Sequence, residues 1–297
     1  YAFLNATGRV LAQNGATGQV VSLLEGRLRC LFVGHDAARA GAQKLLLEHM
    51  RWLARHAAVD MRLLLLRDGP LREAFEGVCP VLVCPPEKLS ETVVREFCGE
   101  TDLVFGNTAV AAAAYDRLAC LGAPIVTHVH ELEQSLQKFA GKNILAKMLR
   151  HTSRYVAASD PVRQNLLERH GIAPDAVLTV NAFVTPPNIP HFLDKSMERR
   201  ALGLPGECLV VLGCGSRDWR KGVDSFVEIA KRVLADANHP AVVFVWVGGG
   251  HDPSIPDPQA LARQYGLGQD VRFVGECSNP LPYFLASDVF LLPSRED

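Results

Sequence analysis

The sequence has no apolar run of the roughly 18 residues that a membrane-spanning helix requires, and no stretch patterned like a secretory leader. It also lacks a charge excess: 31 Lys and Arg stand against 32 Asp and Glu, a net charge of -1, and the sequence pI is near 6.9. That balance argues against a general polyanion binder, so nucleic acid is not an expected partner. The eight cysteines are scattered at positions 30, 79, 84, 98, 120, 208, 214 and 277, with no C-x-x-C pair and no His/Cys group at zinc spacing. They read as reduced thiols, several beside apolar runs where cysteine packs as a small hydrophobe, and no metal site is expected. The chain opens on Tyr1 rather than Met, so targeting is only partly readable. A cytoplasmic location is expected, with the inner face of the membrane as the alternative.

What is present is a core-forming composition: 297 residues, 48% hydrophobic and 21% charged, with a mean hydropathy of +0.09. That length suits two domains. Residues 1–27 carry four glycines without a period and read as an extension or linker. From Leu28 short apolar runs alternate with helical patterns. The runs are Leu28–Val33, Met61–Leu66, Val81–Cys84, Leu103–Phe105, Ile125–Val129, Tyr155–Ala158 and Val177–Val180. Helix-like segments lie at Ala42–His56, Ala109–Leu121, Gln137–Arg150 and Pro161–His170. Continuous rather than alternating apolar runs imply strands buried on both faces of a parallel sheet.

Pro186, Pro187, Pro190 and Pro205 then break the rhythm, marking an interdomain linker over 187–207 with a short helix near Lys195–Leu202. It restarts with strands Leu209–Cys214, Val242–Val247, Val271–Val274 and Val289–Leu292, and helices Lys221–Ala235, Gln259–Tyr265 and Leu281–Ala286. The expected architecture is α/β: two doubly wound Rossmann-like domains, 28–186 and 208–297, facing across a cleft lined by the carboxyl ends of their strands.

Five loops follow strands and hold residues suited to a ligand. Ala40-Gly41-Ala42 opens the first helix, where small residues and unpaired N–H groups suit an anion; the alternative is a plain β–α turn. Gly213-Cys-Gly215-Ser-Arg217-Asp-Trp-Arg220-Lys221-Gly222 gathers three cations at a helix start. Forked Arg donors and a Lys point charge suit a diphosphate, unless the cluster is merely solvated. Gly248-Gly249-Gly250 allows close approach of a ligand, or is a flexible loop. Val274-Gly275 offers backbone at a strand end. Thr127-His128-Val129-His130-Glu131 ends a strand, and His130 is read as contacting ligand while His128 packs locally. The last strand leads through Pro293 to Glu296, a carboxylate where open sheets keep their chemistry. Separately, Lys142, Lys147, Arg150, His151 and Arg154 flank an apolar helical stripe. That pattern fits peripheral membrane contact over 142–154 or a solvated face.

Taken in order, Gly-Ala-Gln, the strand-end His, Arg-Lys-Gly, Val-Gly-Gly-Gly, Phe-Val-Gly and Asp-Val-Phe-Leu-Leu-Pro-Ser-Arg-Glu resemble the retaining GT-B glycosyltransferases of family 4, the group 1 type, over residues 28–297. The resemblance implies an acceptor-side N-terminal domain and a C-terminal domain that binds a nucleotide sugar. It implies transfer of a sugar, with retention, to a glycan, lipid or small-molecule acceptor, with no cofactor beyond the nucleotide-sugar co-substrate. Carried over by position, Lys221 contacts the donor diphosphate. The family's Gly-Arg pair is Gly215-Ser216 here, so Arg220, and less directly Arg217, stand in for its arginine. Gly41, Gly248, Gly249, Val274 and Gly275 match donor-side loops, His130 the position near the transferred sugar, and Glu296 the first glutamate of Glu-x7-Glu. The second glutamate would fall beyond Asp297, so the second domain is expected to be truncated and this chain alone impaired. The rival readings are a non-catalytic nucleotide- or sugar-binding module, an inactive fragment, and a nucleotide-sugar epimerase or phosphorylase on the same architecture.

Overall fold

The computed structural model describes residues 2–4, 10–13, 20–22, 27–182 and 194–296. The chain divides into two compact units, Tyr1–Pro186 and Pro187–Asp297.

Residues 1–27 were expected to be an extension or linker, and no strand was read there. Described residues there form strands β1 (Ala2–Leu4), β2 (Val10–Gln13) and β3 (Val20–Ser22), an antiparallel sheet in the order β1-β2-β3. Short apolar triplets separated by Gly- and Asn-bearing stretches satisfy hairpin signals as readily as linker ones.

The rest of unit 1 alternates strand and helix. In chain order come β4 (Leu28–Gly34), α1 (Gly41–His56), β5 (Val59–Leu65), α2 (Arg72–Glu76), β6 (Val81–Val83), α3 (Glu91–Cys98) and β7 (Leu103–Asn107). Then follow α4 (Tyr115–Leu118), β8 (Ile125–Val129), α5 (Glu133–Ser135), α6 (Gly141–His151), β9 (Thr152–Ala157), α7 (Asp160–His170) and β10 (Val177–Thr179). The seven strands β4 to β10 form one parallel sheet in the order β10-β9-β8-β7-β4-β5-β6. Strand order reverses at β4 and β7, so their carboxyl ends define the switch point.

Each face of this sheet carries its own apolar cluster. One gathers Leu31, Val33, Leu64, Val104 and Tyr115; the other gathers Phe32, Leu46, Met50, Leu63 and Leu65. Alternate residues of one strand therefore serve opposite cores. Helix α1 buries Gln43, Leu46, Leu47, Met50 and Leu53, one helical face.

Several helices differ from expectation for identifiable reasons. The segment 109–121 is tight turns around α4 rather than one helix, because Ala109, Ala111, Ala112 and Ala114 are all fully buried there. The helix expected from Gln137 is interrupted at Gly141, whose φ is 63°. Helices α2 and α3 fall where none was read; α3 is capped by Ser90, which accepts from Val93 N.

Unit 2 comprises α8 (Lys195–Ala201), β11 (Leu209–Cys214), α9 (Val223–Leu234), β12 (Val242–Val247), α10 (Pro258–Gln264), β13 (Val271–Gly275), α11 (Leu281–Ala286) and β14 (Val289–Phe290). Helix α8 belongs to this unit: buried Arg199 donates to Ala286 O, Gly206 O and Cys208 O and pairs with Asp288. The sheet is parallel, in the order β13-β12-β11-β14, so strand order reverses at β11 and β14.

The last strand was expected to be buried over Val289–Leu292. It is instead two residues long and exposed, with Val289 at 47% and Phe290 at 48% of full exposure. It pairs with β11 alone, at the edge of the sheet.

Candidate donor and sugar sites

In unit 1 the site grows from the switch point. Register pairs Gly34 with Asn107 and Asn107 with His128, placing the ends of β4, β7 and β8 side by side. Asn107 is 1% exposed. Its Nδ2 donates to Ala42 O in the first turn of α1 at 3.1 Å, and its Oδ1 lies 3.1 Å from His130 Nε2. Glu131 accepts from the backbone N–H of Ala109 and of His130, tying the segments after β7 and β8 together. Thr108 has φ 73°, a positive value outside glycine that costs about 1–3 kcal/mol. It is held by its N–H to His128 O and by Oγ1 at 3.0 Å from His35 Nδ1.

His35 is fixed from its other side by Gln43, whose amide nitrogen reaches His35 Nε2 at 3.0 Å and Asp36 Oδ1 at 2.5 Å. An amide nitrogen only donates, so His35 Nε2 accepts and Nδ1–H donates to Thr108. Burial lowers the pKa of His35, opposed by the Asp36 charge. Burial also lowers His130 to about 4, with His35 adding to the effect. His128 falls to about 2 through burial and its neighbours His130 and His49. These rings are neutral at ordinary pH. His128 packs as expected, 8% exposed, against Phe105 and 4.0 Å from the His130 ring.

Gly41 meets nothing within 4 Å where a Cβ would stand. The preceding Ala40 offers no side-chain cap, and the first turn of α1 holds no acid. The start of α1 therefore keeps its N–H groups available to an anion.

In unit 2 the loop from β11 to α9 is shaped by its glycines. Gly215 has φ 153°, and a Cβ there would lie 3.1 Å from Cγ and 3.2 Å from Cδ of Lys221. The stem of Lys221 thus lies across bare backbone. Lys221 N donates to Asp218 Oδ1 at 2.9 Å and Trp219 N to buried Asp252 at 3.0 Å, fixing the loop from both sides. Gly215 O accepts from the indole N–H of fully buried Trp246.

The second half of this site comes from the end of the β14 segment. Arg295 N donates to Arg220 O at 2.8 Å, setting Glu296 one residue beyond that bond. A Cβ on Gly222, whose φ is 67°, would lie 2.1 Å from Pro293 O. The Lys-Gly and Pro-Ser-Arg-Glu motifs therefore touch through backbone. Arg295 also donates to Trp219 O, Ser225 Oγ and both carboxylate oxygens of Asp224.

Other expected residues have different surroundings. Arg217 is bound through its N–H to Gly249 O, while its buried Nε has no hydrogen-bond partner. It lines a cavity of about 100 Å³ with His251, Asp252, Asp257 and Gln259. Gly248 has a reason inside the chain: a Cβ there would sit 1.9 Å from Gly215 O. Gly249 packs near Glu276 Cβ, at 3.2 Å from its own built Cβ. Gly275 O accepts from Gly248 N at 2.8 Å, and Val274 is 39% exposed.

Sequence reading missed Asn107, Thr108, Glu131, Asp224 and Arg295 as organising residues. The Asn-Thr pair closing β7 and the acid beside His130 were visible, but their partners are distant in sequence. The basic helix α6 is also more committed than expected. Lys147, Arg150 and His151 all reach Asp116 of α4, at 2.9, 3.6 and 2.7 Å, leaving less positive charge for a membrane. All eight cysteines are free thiols. Among the described residues no cluster of three or more His, Cys, Asp or Glu could hold a metal, and no helix is long and apolar enough to cross a membrane.

Two parallel-sheet α/β units, each with its candidate residues at a strand-order switch, define the GT-B class. Residues 40–186 match the family model described as Glycosyltransferase Family 4, and residues 208–297 the one described as Glycosyl transferases group 1. The chain belongs to the group 1, family 4 glycosyltransferases. It is 27% identical over 249 residues to D-inositol 3-phosphate glycosyltransferase 1 of Catenulispora acidiphila, covering 77% of this chain and 58% of that protein. The chain thus spans less than two thirds of that relative's length. Among solved structures, Anabaena Alr3699/HepE superposes with a TM-score of 0.73 at 18% identity, covering 90% of this chain and 74% of the other. WaaG, a glycosyltransferase involved in lipopolysaccharide biosynthesis, superposes with a TM-score of 0.64 at 16% identity, covering 90% and 75%.

Proposed function

We propose that the protein transfers a sugar from a nucleotide-sugar donor to an acceptor hydroxyl with retention at the anomeric carbon. The observation that carries this reading is the β11–α9 loop. There the Lys221 stem lies across Gly215 at the start of a helix, and the backbone carbonyl of Arg220 accepts from Arg295 N–H. Cations carried on a loop held in this way neutralise a leaving diphosphate as charge develops on it. In this reading no cofactor or resident metal is required for that task.

In this reading Glu296 accepts from sugar hydroxyls, and Gly41 at the start of α1 is assigned to donor binding. His130 meets the transferred sugar. Exposed Val274 and the backbone at Gly275 and Gly248-Gly249 flank the base. The Anabaena relative has been solved with UDP-glucose, so a UDP-sugar is the first donor to test. The relatives' names mention an inositol phosphate and lipopolysaccharide, which keeps small-molecule, glycan and lipid acceptors in range.

The test is a thermal-shift screen of the protein against UDP-, GDP- and ADP-sugars, repeated with Lys221→Ala. A ligand that binds the folded state raises the melting temperature by mass action. One nucleotide should stabilise the wild type, and the variant should lose both that shift and transfer. A screen without any responding nucleotide, or near-normal turnover in Lys221→Ala, overturns the assignment.

A further inference from the structure

We propose that Asn107 is a positioning residue that fixes one tautomer of His130, presenting its Nδ1 lone pair as an acceptor for a substrate hydroxyl. The proposal rests on the reading that His130 meets the transferred sugar.

The argument begins with the orientation of the Asn107 amide. Ala42 O can only accept, so the Asn107 atom 3.1 Å away must be Nδ2. Rotating the amide would set two oxygens against each other in a site where Asn107 is 1% exposed. The oxygen is therefore the atom that faces His130 Nε2 at 3.1 Å. A carbonyl oxygen accepts, so Nε2 must carry the hydrogen. Burial keeps the imidazole neutral, and a neutral ring has one donor and one acceptor nitrogen. Nδ1 is then the acceptor, and His130 takes a hydrogen bond from a hydroxyl instead of giving one.

The surroundings hold Asn107 in place. Its backbone closes β7, with Gly34 and His128 as register partners on either side. The next residue is locked in its strained conformation by His35 and by the carbonyl of His128. Glu131 fastens the backbone N–H groups of both Ala109 and His130. The backbone carrying both side chains is thereby held, and turning the Asn107 amide would break its bonds to Ala42 O and His130, so the tautomer is built in before substrate arrives, which is the meaning of preorganisation.

The experiment is long-range 15N–1H correlation spectroscopy on the histidine-labelled protein, with His130→Gln to assign the ring. Transfer is assayed alongside. The wild type should show Nε2–H on His130 without ligand. Asn107→Leu, which removes the acceptor, should give a tautomer mixture and lower kcat about tenfold, with the donor KM little changed. Asn107→Ala removes the acceptor with less bulk and should give the same tautomer mixture. Nδ1–H in the wild type overturns the proposal, and so does an unchanged tautomer in Asn107→Leu. The wild-type spectrum and the alanine variant decide the matter even if the leucine variant fails to fold, and a pure Nε2–H signature in the alanine variant also overturns the proposal. If the tautomer follows Asn107 while no sugar is transferred, the positioning stands and the glycosyltransferase reading of this site fails.

Discussion

Arg295 donates through both terminal nitrogens to the two carboxylate oxygens of Asp224, each at 2.8 Å. The bond joins the first turn of α9 to the segment carrying Glu296, so the diphosphate loop and the sugar-binding carboxylate of the proposed site share one brace. The side chains are 31% and 18% exposed. Bidentate charge-assisted geometry strengthens the pair, while solvent screening weakens it. Arg295→Met should cost about 1–2 kcal/mol at neutral pH. Burial pushes the Asp224 carboxyl up, but the Arg295 bonds and charge outweigh it, and its pKa is lowered overall. A depressed carboxylate stabilises the fold above its unfolded value, near 4, and that stability is lost as pH falls through the folded pKa. Denaturant titrations at neutral and strongly acidic pH should therefore show the gap between wild type and variant closing in acid.

Gly215→Ala should weaken donor binding and also strain the fold, because the φ of 153° is one that side chains rarely adopt. The new methyl would stand 3.1 Å from the Lys221 stem, a flexible chain that can move aside. Moving it displaces the ammonium from the place proposed for the diphosphate. Nucleotide affinity should drop about tenfold, equivalent to about 1.4 kcal/mol. Calorimetric titration with the responding nucleotide checks this, and undiminished affinity would detach Lys221 from the diphosphate.

Gly222→Ala is expected to act on the fold itself. Its methyl would meet Pro293 O at 2.1 Å, and the φ of 67° disfavours any side chain. Backbone cannot yield as a lysine stem can, so the cost should be about 2–4 kcal/mol. A melting temperature within a degree or two of wild type would contradict the contact.

The buried histidines set a pH dependence of stability with a definite sign. His130 is held near 4 and His128 near 2, against roughly 6.5 in an unfolded chain. Below that unfolded value the unfolded state binds more protons, so stability falls as pH drops from about 6.5 towards 4 and is flat above it. For His130 the full loss is about 3 kcal/mol, from its shift to about 4. His128→Leu should flatten the slope of stability against pH; an equally steep slope would mean that other groups set it.

The strand rhythm was legible because each strand of a parallel sheet is buried on both faces and reads as a short apolar run. The loop Gly213–Gly222 was legible for a different reason, since glycines and cations at a strand end have few other uses. The alanine segment 109–114 misled because helix propensity does not encode the tight packing that compresses it into shorter turns. The edge strand Val289–Phe290 misled because an apolar run says nothing about whether neighbours cover it. Asn107, Asp224 and Arg295 were illegible because each acts through a partner 23 to 71 residues away, and single-chain periodicity holds no such information.

The backbone contact between Gly222 and Pro293 has a consequence for anyone exchanging parts between relatives. Residues 213–222 and 293–296 interlock as one cassette, through a methyl-free gap and the Arg295–Arg220 bond. A chimera that imports the first stretch without the second inherits a mismatched joint. Transplanting donor preference thus means moving both together.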